Sequence, residues 1–170
     1  AYERLNQFDL AAKDYDRALV FNAKDEELFH KAGNAYFKNG EYGAALVKLN
    51  SAIERKSNYL PAYQVRVRVL LALERYNEAL DDCKKALRFK ENEVNYFNLG
   101  QVYEKLELFD EAELAYQNSI KKNGNVMDSH LALAKLTFFR EKYSLAMSSV
   151  NQVLRIDSRN RDGLKLRSHI

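Results

Sequence analysis

The chain has one cysteine, Cys83, in the stretch RYNEALDDCKKAL (residues 75–87), with Asp81 and Asp82 before it and Lys84 and Lys85 after it. A thiol beside cations is a candidate nucleophile, metal ligand or redox sensor. On the apolar side of a helix it is a small, inert packing group. The other residues suited to acid–base or metal chemistry near neutral pH are His30, His130 and His169. None stands at metal-site spacing from another histidine, from the cysteine or from a carboxylate pair. GNAYFKNG (residues 33–40) carries two glycines but follows no strand, so it does not read as a phosphate loop. No acid, base and nucleophile converge. The expectation is a protein that is not an enzyme and has no cofactor and no metal.

The elements that position these residues recur. QFDLAAKDYDRAL, EYGAALVKLNSAI, RYNEALDDCKKAL, LFDEAELAYQNSI and KYSLAMSSVNQVL align in register. An aromatic opens each (Phe8, Tyr42, Tyr76, Phe109, Tyr143), and an alanine follows three residues later (Ala11, Ala45, Ala79, Ala112, Ala146). Successive alanines are 34, 34, 33 and 34 residues apart. The offsets within each copy fall on one helical face, where an alanine lets a neighbouring helix come close. A second helix per period is predicted around Phe29, Gly33 and Tyr36, around Tyr63, Val67 and Leu70, around Tyr96, Gly100 and Tyr103, and around His130, Ala134 and Thr137. Gly33 and Gly100 each cost a helix about 1 kcal/mol relative to alanine, which a close helix crossing would offset. Arg66 stands where an apolar residue is expected, and Pro61 falls in a first turn, where it is tolerated.

Composition agrees with helices. Of 170 residues, 46% are hydrophobic and 30% charged, with six glycines and one proline, too few breakers for an all-β chain. A net charge of +3 permits acidic partners without demanding nucleic acid or an anionic membrane. One cysteine makes no internal disulfide, no apolar run approaches the ~20 residues of a membrane span, and AYERLNQFDL has no secretory pattern. Cytoplasmic location is therefore expected for this segment.

Two helices per period with this aromatic–small–aromatic–alanine signature resemble the tetratricopeptide repeat (TPR). The resemblance implies an all-α fold, a right-handed α-solenoid of antiparallel helix pairs. It places full repeats at 26–59, 60–92, 93–126 and 127–160, a partial repeat at 1–25 with Tyr2 in the Tyr36 column, and the start of a further helix at 161–170. Tyr2, Leu5, Leu164 and Leu166 would lack neighbours, so a longer parent array and end-to-end self-association are expected. The family's tryptophan column reads Phe29, Tyr63, Tyr96 and His130 here, and its proline is replaced by residues such as Ser57 and Gly124. Cys83 shares a column with Tyr15, Leu49, Tyr116 and Val150, so it reads as buried packing; Asp81 and Asp82 read as a solvated face.

The resemblance further implies a non-catalytic protein-interaction scaffold that holds a peptide or partner segment in a groove lined by the first helices. Beside Glu27, the groove residues would be His30, Asn34, Phe37 and Lys38, then Gln64, Arg68 and Leu71, then Phe97, Gln101 and Lys105, then Leu131, Lys135 and Phe138. Lys38, Arg68 and Lys135 form a basic line suited to acidic partners. The two-carboxylate clamp of family members that bind chaperone C-termini needs Lys and Asn, then Asn, then Lys and Arg. Those columns hold His30 and Asn34, Val65, Val94 and Asn98, and the next register fails too, so a chaperone-tail binder is disfavoured. Nucleic-acid binding through RIDSRNRDGLKLR (residues 155–167) is the weaker alternative.

Overall fold

Each aromatic that opens a repeat copy also opens a helix of 14 residues: α1 Phe8–Phe21, α3 Tyr42–Arg55, α5 Tyr76–Phe89, α7 Phe109–Lys122 and α9 Tyr143–Ile156. The helices between them are α2 Glu26–Lys38, α4 Leu60–Ala72, α6 Glu93–Lys105 and α8 Met127–Phe139, followed by the short α10 Arg161–Arg167. The computed structural model describes residues 7–170, and Tyr2 and Leu5 lie outside them. Among the described residues every element is helical and no strand occurs, an all-α helical repeat fold.

The turn inside each helix pair has one backbone solution. The N–H of Glu74 donates to the Leu71 carbonyl at 3.1 Å and that of Arg75 to the Leu70 carbonyl at 2.9 Å. This is the Schellman arrangement, which needs a left-handed residue just past the helix. Gly40 supplies it in one turn (φ 82°), but glutamates occupy the equivalent places in the others: Glu74 at 58°, Glu107 at 59° and Glu141 at 59°. Helix starts are tied less uniformly. Asp25, Asn92 and Asn160 cap α2, α6 and α10 through their side-chain oxygens, while α4 begins with Pro61 in its first turn.

The helices form two compact units, Ala1–Lys90 and Glu91–Ile170. In the first, α1 to α5 pack each on the next, and α2 also meets α4. Its core joins Leu19, Phe29, Ala32, Ala45, Leu49, Ala52, Ala62 and Val69. A methyl group on Gly33 would lie 2.7 Å from Leu49 Cγ, so the absent side chain is what lets α2 and α3 approach. Asp16 on α1 ties this packing together: the Tyr36 hydroxyl donates to it at 2.6 Å and Lys48 pairs with it at 2.7 Å. The bond to Asp16, helped by burial, pushes the Tyr36 phenol up to about 12.

In the second unit α6 to α10 pack in the same sequential way, and α8 also meets α10. Ala112, Tyr116, Leu133 and Leu136 form its core. A methyl group on Gly100 would stand 2.5 Å from the Tyr116 ring. Ser119 takes the place of the small alanine of other copies and brings its own partners: its hydroxyl donates to the Glu93 carbonyl at 2.8 Å. With that hydrogen committed, the buried Ser129 hydroxyl donates to Ser119 across 2.7 Å.

The repeated alanines are buried where the helices cross: Ala45, Ala79, Ala112 and Ala146 are all at 0% exposure. Ala79→Leu is therefore expected to lower stability by ~1–3 kcal/mol in urea titrations, because no space receives the added carbons. Gly100→Ala is also expected to destabilise, since the Tyr116 contact outweighs the about 1 kcal/mol of helix propensity gained. Glu107→Gly is expected to stabilise by up to ~1 kcal/mol: it removes a left-handed penalty of roughly 1–2 kcal/mol at a smaller entropic cost.

Candidate partner-binding surface

The residues that attract a chemical reading are held as structure. Cys83 is a free thiol at 1% exposure, and burial, with the nearby Asp82 carboxylate, pushes it far above the usual thiol range. The buried His130 ring sits with Nε2 2.9 Å from the Gly124 carbonyl; a carbonyl only accepts, so Nε2 carries the hydrogen. His30 is half-buried, meets the Tyr59 ring edge-on at 5.7 Å, and is held below the ordinary imidazole value chiefly by burial. The exposed His169 has Nδ1 2.6 Å from the Lys165 carbonyl and donates to it. Among the described residues no three of His, Cys, Asp or Glu gather as a metal site, and no helix is long and apolar enough to cross a membrane.

The sequence expectation for Asp82 needs correction. It reads as solvated, yet it is 3% exposed and accepts both ends of the Arg66 guanidinium at 2.7 Å. Arg66 also donates to Asn50 Oδ1 at 2.8 Å. The arginine in an apolar column on α4 and the aspartate on α5 are one buried device. Each looks anomalous alone, because the partner lies 16 residues away on the next helix. The pair is part of the lining of a hollow of about 380 Å³, to which Leu46, Ile53 and Leu70 contribute the apolar side chains.

The expected groove residues lie on first helices, in two sets. In the unit Ala1–Lys90, His30, Asn34, Phe37 and Lys38 lie on α2, and Gln64, Arg68 and Leu71 on α4, which packs beside it. The Arg68 guanidinium lies 4.7 Å from the Phe37 ring centroid, an exposed cation over a half-buried ring. Lys38 stands over the Phe8 ring at 5.1 Å. Asn34, Gln64 and Leu71 are half-buried.

In the unit Glu91–Ile170, Phe97, Gln101 and Lys105 lie on α6 and Leu131, Lys135 and Phe138 on α8. Phe97 packs against the core, its ring 5.8 Å from that of Tyr116, so it serves as wall more than as open anchor. Lys135 is paired with Asp162 of α10 at 2.6 Å. Phe138 leans on Tyr143 at 5.9 Å and faces a hollow of about 350 Å³ between α8 and α10. Asp162, Lys165, Leu166 and His169 complete its lining. None of these four is among the groove residues expected from the sequence. The signal that finds them is the repeat itself: Asp162, Lys165 and His169 stand in the columns of Glu27, His30 and Asn34.

Two results are expected from this geometry. Cys83 should resist thiol reagents in the folded chain and react at the rate of unfolding. Asp82→Ala should cost ~3–5 kcal/mol by leaving Arg66 buried without its counter-charge, whereas Arg66→Leu combined with Asp82→Ala should recover most of that stability in thermal melts.

The comparisons with known proteins agree with the fold. A family model described as "TPR repeat" matches residues 1–40, and one described as "Tetratricopeptide repeat" matches 60–93 and 95–123, together more than half of the chain. The chain is 33% identical over 130 residues to Hsp70-Hsp90 organizing protein 3 of Arabidopsis thaliana, covering 74% of this chain and 23% of that protein. It spans 17% to 38% of the length of the curated relatives it matches. A thermophilic TPR protein of Thermus thermophilus superposes with a TM-score of 0.82 at 23% identity, covering 98% of this chain and 90% of that one. YrrB, a TPR protein with an unusual peptide-binding site, superposes with a TM-score of 0.73 at 26% identity, covering 94% and 82%. Periodic alanines, helix pairs and matched family models lead to one conclusion: the chain belongs to the tetratricopeptide repeat family, whose helical repeats serve as adaptors between proteins.

Proposed function

We propose that this chain is the partner-binding part of an interaction scaffold, and that a peptide or extended partner segment lies on its first-helix faces. The observation that carries the reading is Arg68 held over Phe37 where α2 and α4 pack together. A cation placed on an aromatic keeps its N–H groups available to a carboxylate, while the ring offers apolar area to the neighbouring side chain. Half-buried Asn34 and Leu71 lie one helical turn from Phe37 and Arg68 and supply a group suited to main-chain amides and an apolar contact. The likeness to YrrB supports a peptide as the ligand.

The family is generally non-enzymatic, and the reading assigns no reaction. The likeness to an Hsp70-Hsp90 organizing protein supports a scaffold role but not the same ligand. The clamp columns carry His30, Val65 and Val94 in place of the residues that grip a chaperone's terminal carboxylates. Acidic partners remain favoured through Arg68 and Lys38.

The test is affinity purification of partners on three forms of the chain: unaltered, Arg68→Glu, and Lys84→Glu as a control on the exposed face of α5. Arg68→Glu is expected to lose the partners and Lys84→Glu to keep them. With a purified partner, Arg68→Glu should slow association, more so when the screening length grows to ~30 Å at 0.01 M salt. Loss through Lys84→Glu with Arg68→Glu unaffected would place binding on the second-helix surface instead.

A further inference from the structure

We propose that the hollow between α8 and α10 is an anchor site for one large apolar side chain flanked by carboxylates in a partner segment, and that Asp162 competes with those carboxylates for Lys135. This deepens the proposed function and rests on its assignment of the first-helix faces. The hollow, about 350 Å³, is lined by Lys135, Phe138, Asp162, Lys165, Leu166 and His169. That volume lies at the lower end of the roughly 300–1,000 Å³ typical of ligand pockets.

The lining separates into two parts. Phe138 and Leu166, both half-buried, form an apolar floor, and the Phe138 ring is braced by Tyr143 at 5.9 Å. Lys135, Asp162, Lys165 and His169 form an exposed rim. Asp162 is the one carboxylate among the lining residues, and it faces two ammonium groups. Arg161 and Arg167, at the two ends of α10, add to the positive surroundings. An apolar floor inside a basic rim matches a segment in which a phenylalanine or leucine is bracketed by aspartates or glutamates.

The ion pair on the rim makes this site adjustable. Lys135 and Asp162 meet at 2.6 Å, but their side chains are 53% and 56% exposed. Exposed pairs of this kind are weak, so an incoming carboxylate can take the place of Asp162. Lys135 holds the Asp162 carboxyl below its ordinary range, so Asp162 is charged at neutral pH and competes there. Lys165 makes no ion pair within 4 Å among the described residues and is ready for the first contact. A single-stranded nucleic acid would instead need a run of open aromatic faces, and this lining holds one phenyl ring, Phe138, and one imidazole, His169, whose Nδ1 is tied to the Lys165 carbonyl.

The experiment uses the 170-residue chain and an immobilised array of seven-residue peptides. Their central residue is Phe, Leu, Ala or Lys, flanked on both sides by Glu, Ser or Lys. Binding is expected where Phe or Leu is flanked by Glu. For the strongest peptide, fluorescence anisotropy should show Phe138→Ala and Lys165→Glu weakening binding roughly tenfold or more, and Asp162→Asn strengthening it roughly two- to fivefold. Lys165→Glu and Asp162→Asn alter exposed side chains only, so they remain informative if Phe138→Ala lowers the melting temperature. The proposal is overturned if no peptide binds, if Lys-flanked peptides bind best, or if an oligothymidylate binds more tightly than every acidic peptide. Binding lost in Arg68→Glu but unchanged in Phe138→Ala and Lys165→Glu overturns this site and leaves the proposed function standing. Binding that none of these three substitutions changes overturns both.

Discussion

Close approach of helices within each pair is the constraint on which the rest depends. It is set by residues that lack bulk. At Gly33 and Gly100 even a methyl group would overlap Leu49 or the Tyr116 ring. Four of the five repeated alanines, Ala45, Ala79, Ala112 and Ala146, are fully buried. A glycine inside a helix is normally a loss of about 1 kcal/mol. Here it brings two backbones near enough for a large partner side chain to lie flat across the gap, where dispersion contacts are dense. The same closeness makes substitution one-sided: there is no room to add atoms, and little cavity to create by removing them.

Close packing also dictates where polar groups must find partners. The bend after a second helix leaves a carbonyl exposed to the next first helix, and the family's proline is missing at that bend. Tyr63 donates its hydroxyl to the Ser57 carbonyl at 2.9 Å, and His130 bonds the Gly124 carbonyl six residues before it. Phe29, in the same column, has no polar atom. There Arg55 reaches across from α3, donating to the Ala23 carbonyl at 2.8 Å with its guanidinium 3.9 Å from the Phe29 centroid. Three different side chains meet one requirement, because the requirement belongs to the backbone and not to the residue type.

The sequence made helices and packing columns legible because both are periodic. The aromatic, alanine and glycine columns repeat every 33 or 34 residues, and a periodic demand prints itself several times. Cys83 was readable for that reason: its column is apolar in the other copies. Asp82 was not. Its burial depends on Arg66, and this pairing occurs in one repeat alone, where column logic sees only two exceptions. The candidate surface was half legible. The column rule put Phe37, Arg68, Lys135 and Phe138 on first helices, but it carries no information on which side chains lie against each other. Phe97 drawn onto Tyr116, and Lys135 paired with Asp162, are outcomes of local packing and charge rather than of periodicity.

These local pairings change what a basic surface means here. Lys38 rests on Phe8, Arg68 on Phe37, and Lys135 on a carboxylate, so these three cations of the first-helix faces are held rather than waving in solvent. Holding a long side chain in advance removes part of the entropy that a partner would otherwise have to supply on binding. The two modes of holding differ in consequence. A ring engages the face of a cation through its quadrupole and leaves the donors at the edge free for a carboxylate. A carboxylate engages those donors directly and must be displaced. Under the proposed function, recognition in the first unit would be additive, a ligand joining an existing stack. In the second, the proposed site would work by exchange: the ligand would have to bind better than the residue it replaces, and the apolar floor beside Phe138 would supply that margin.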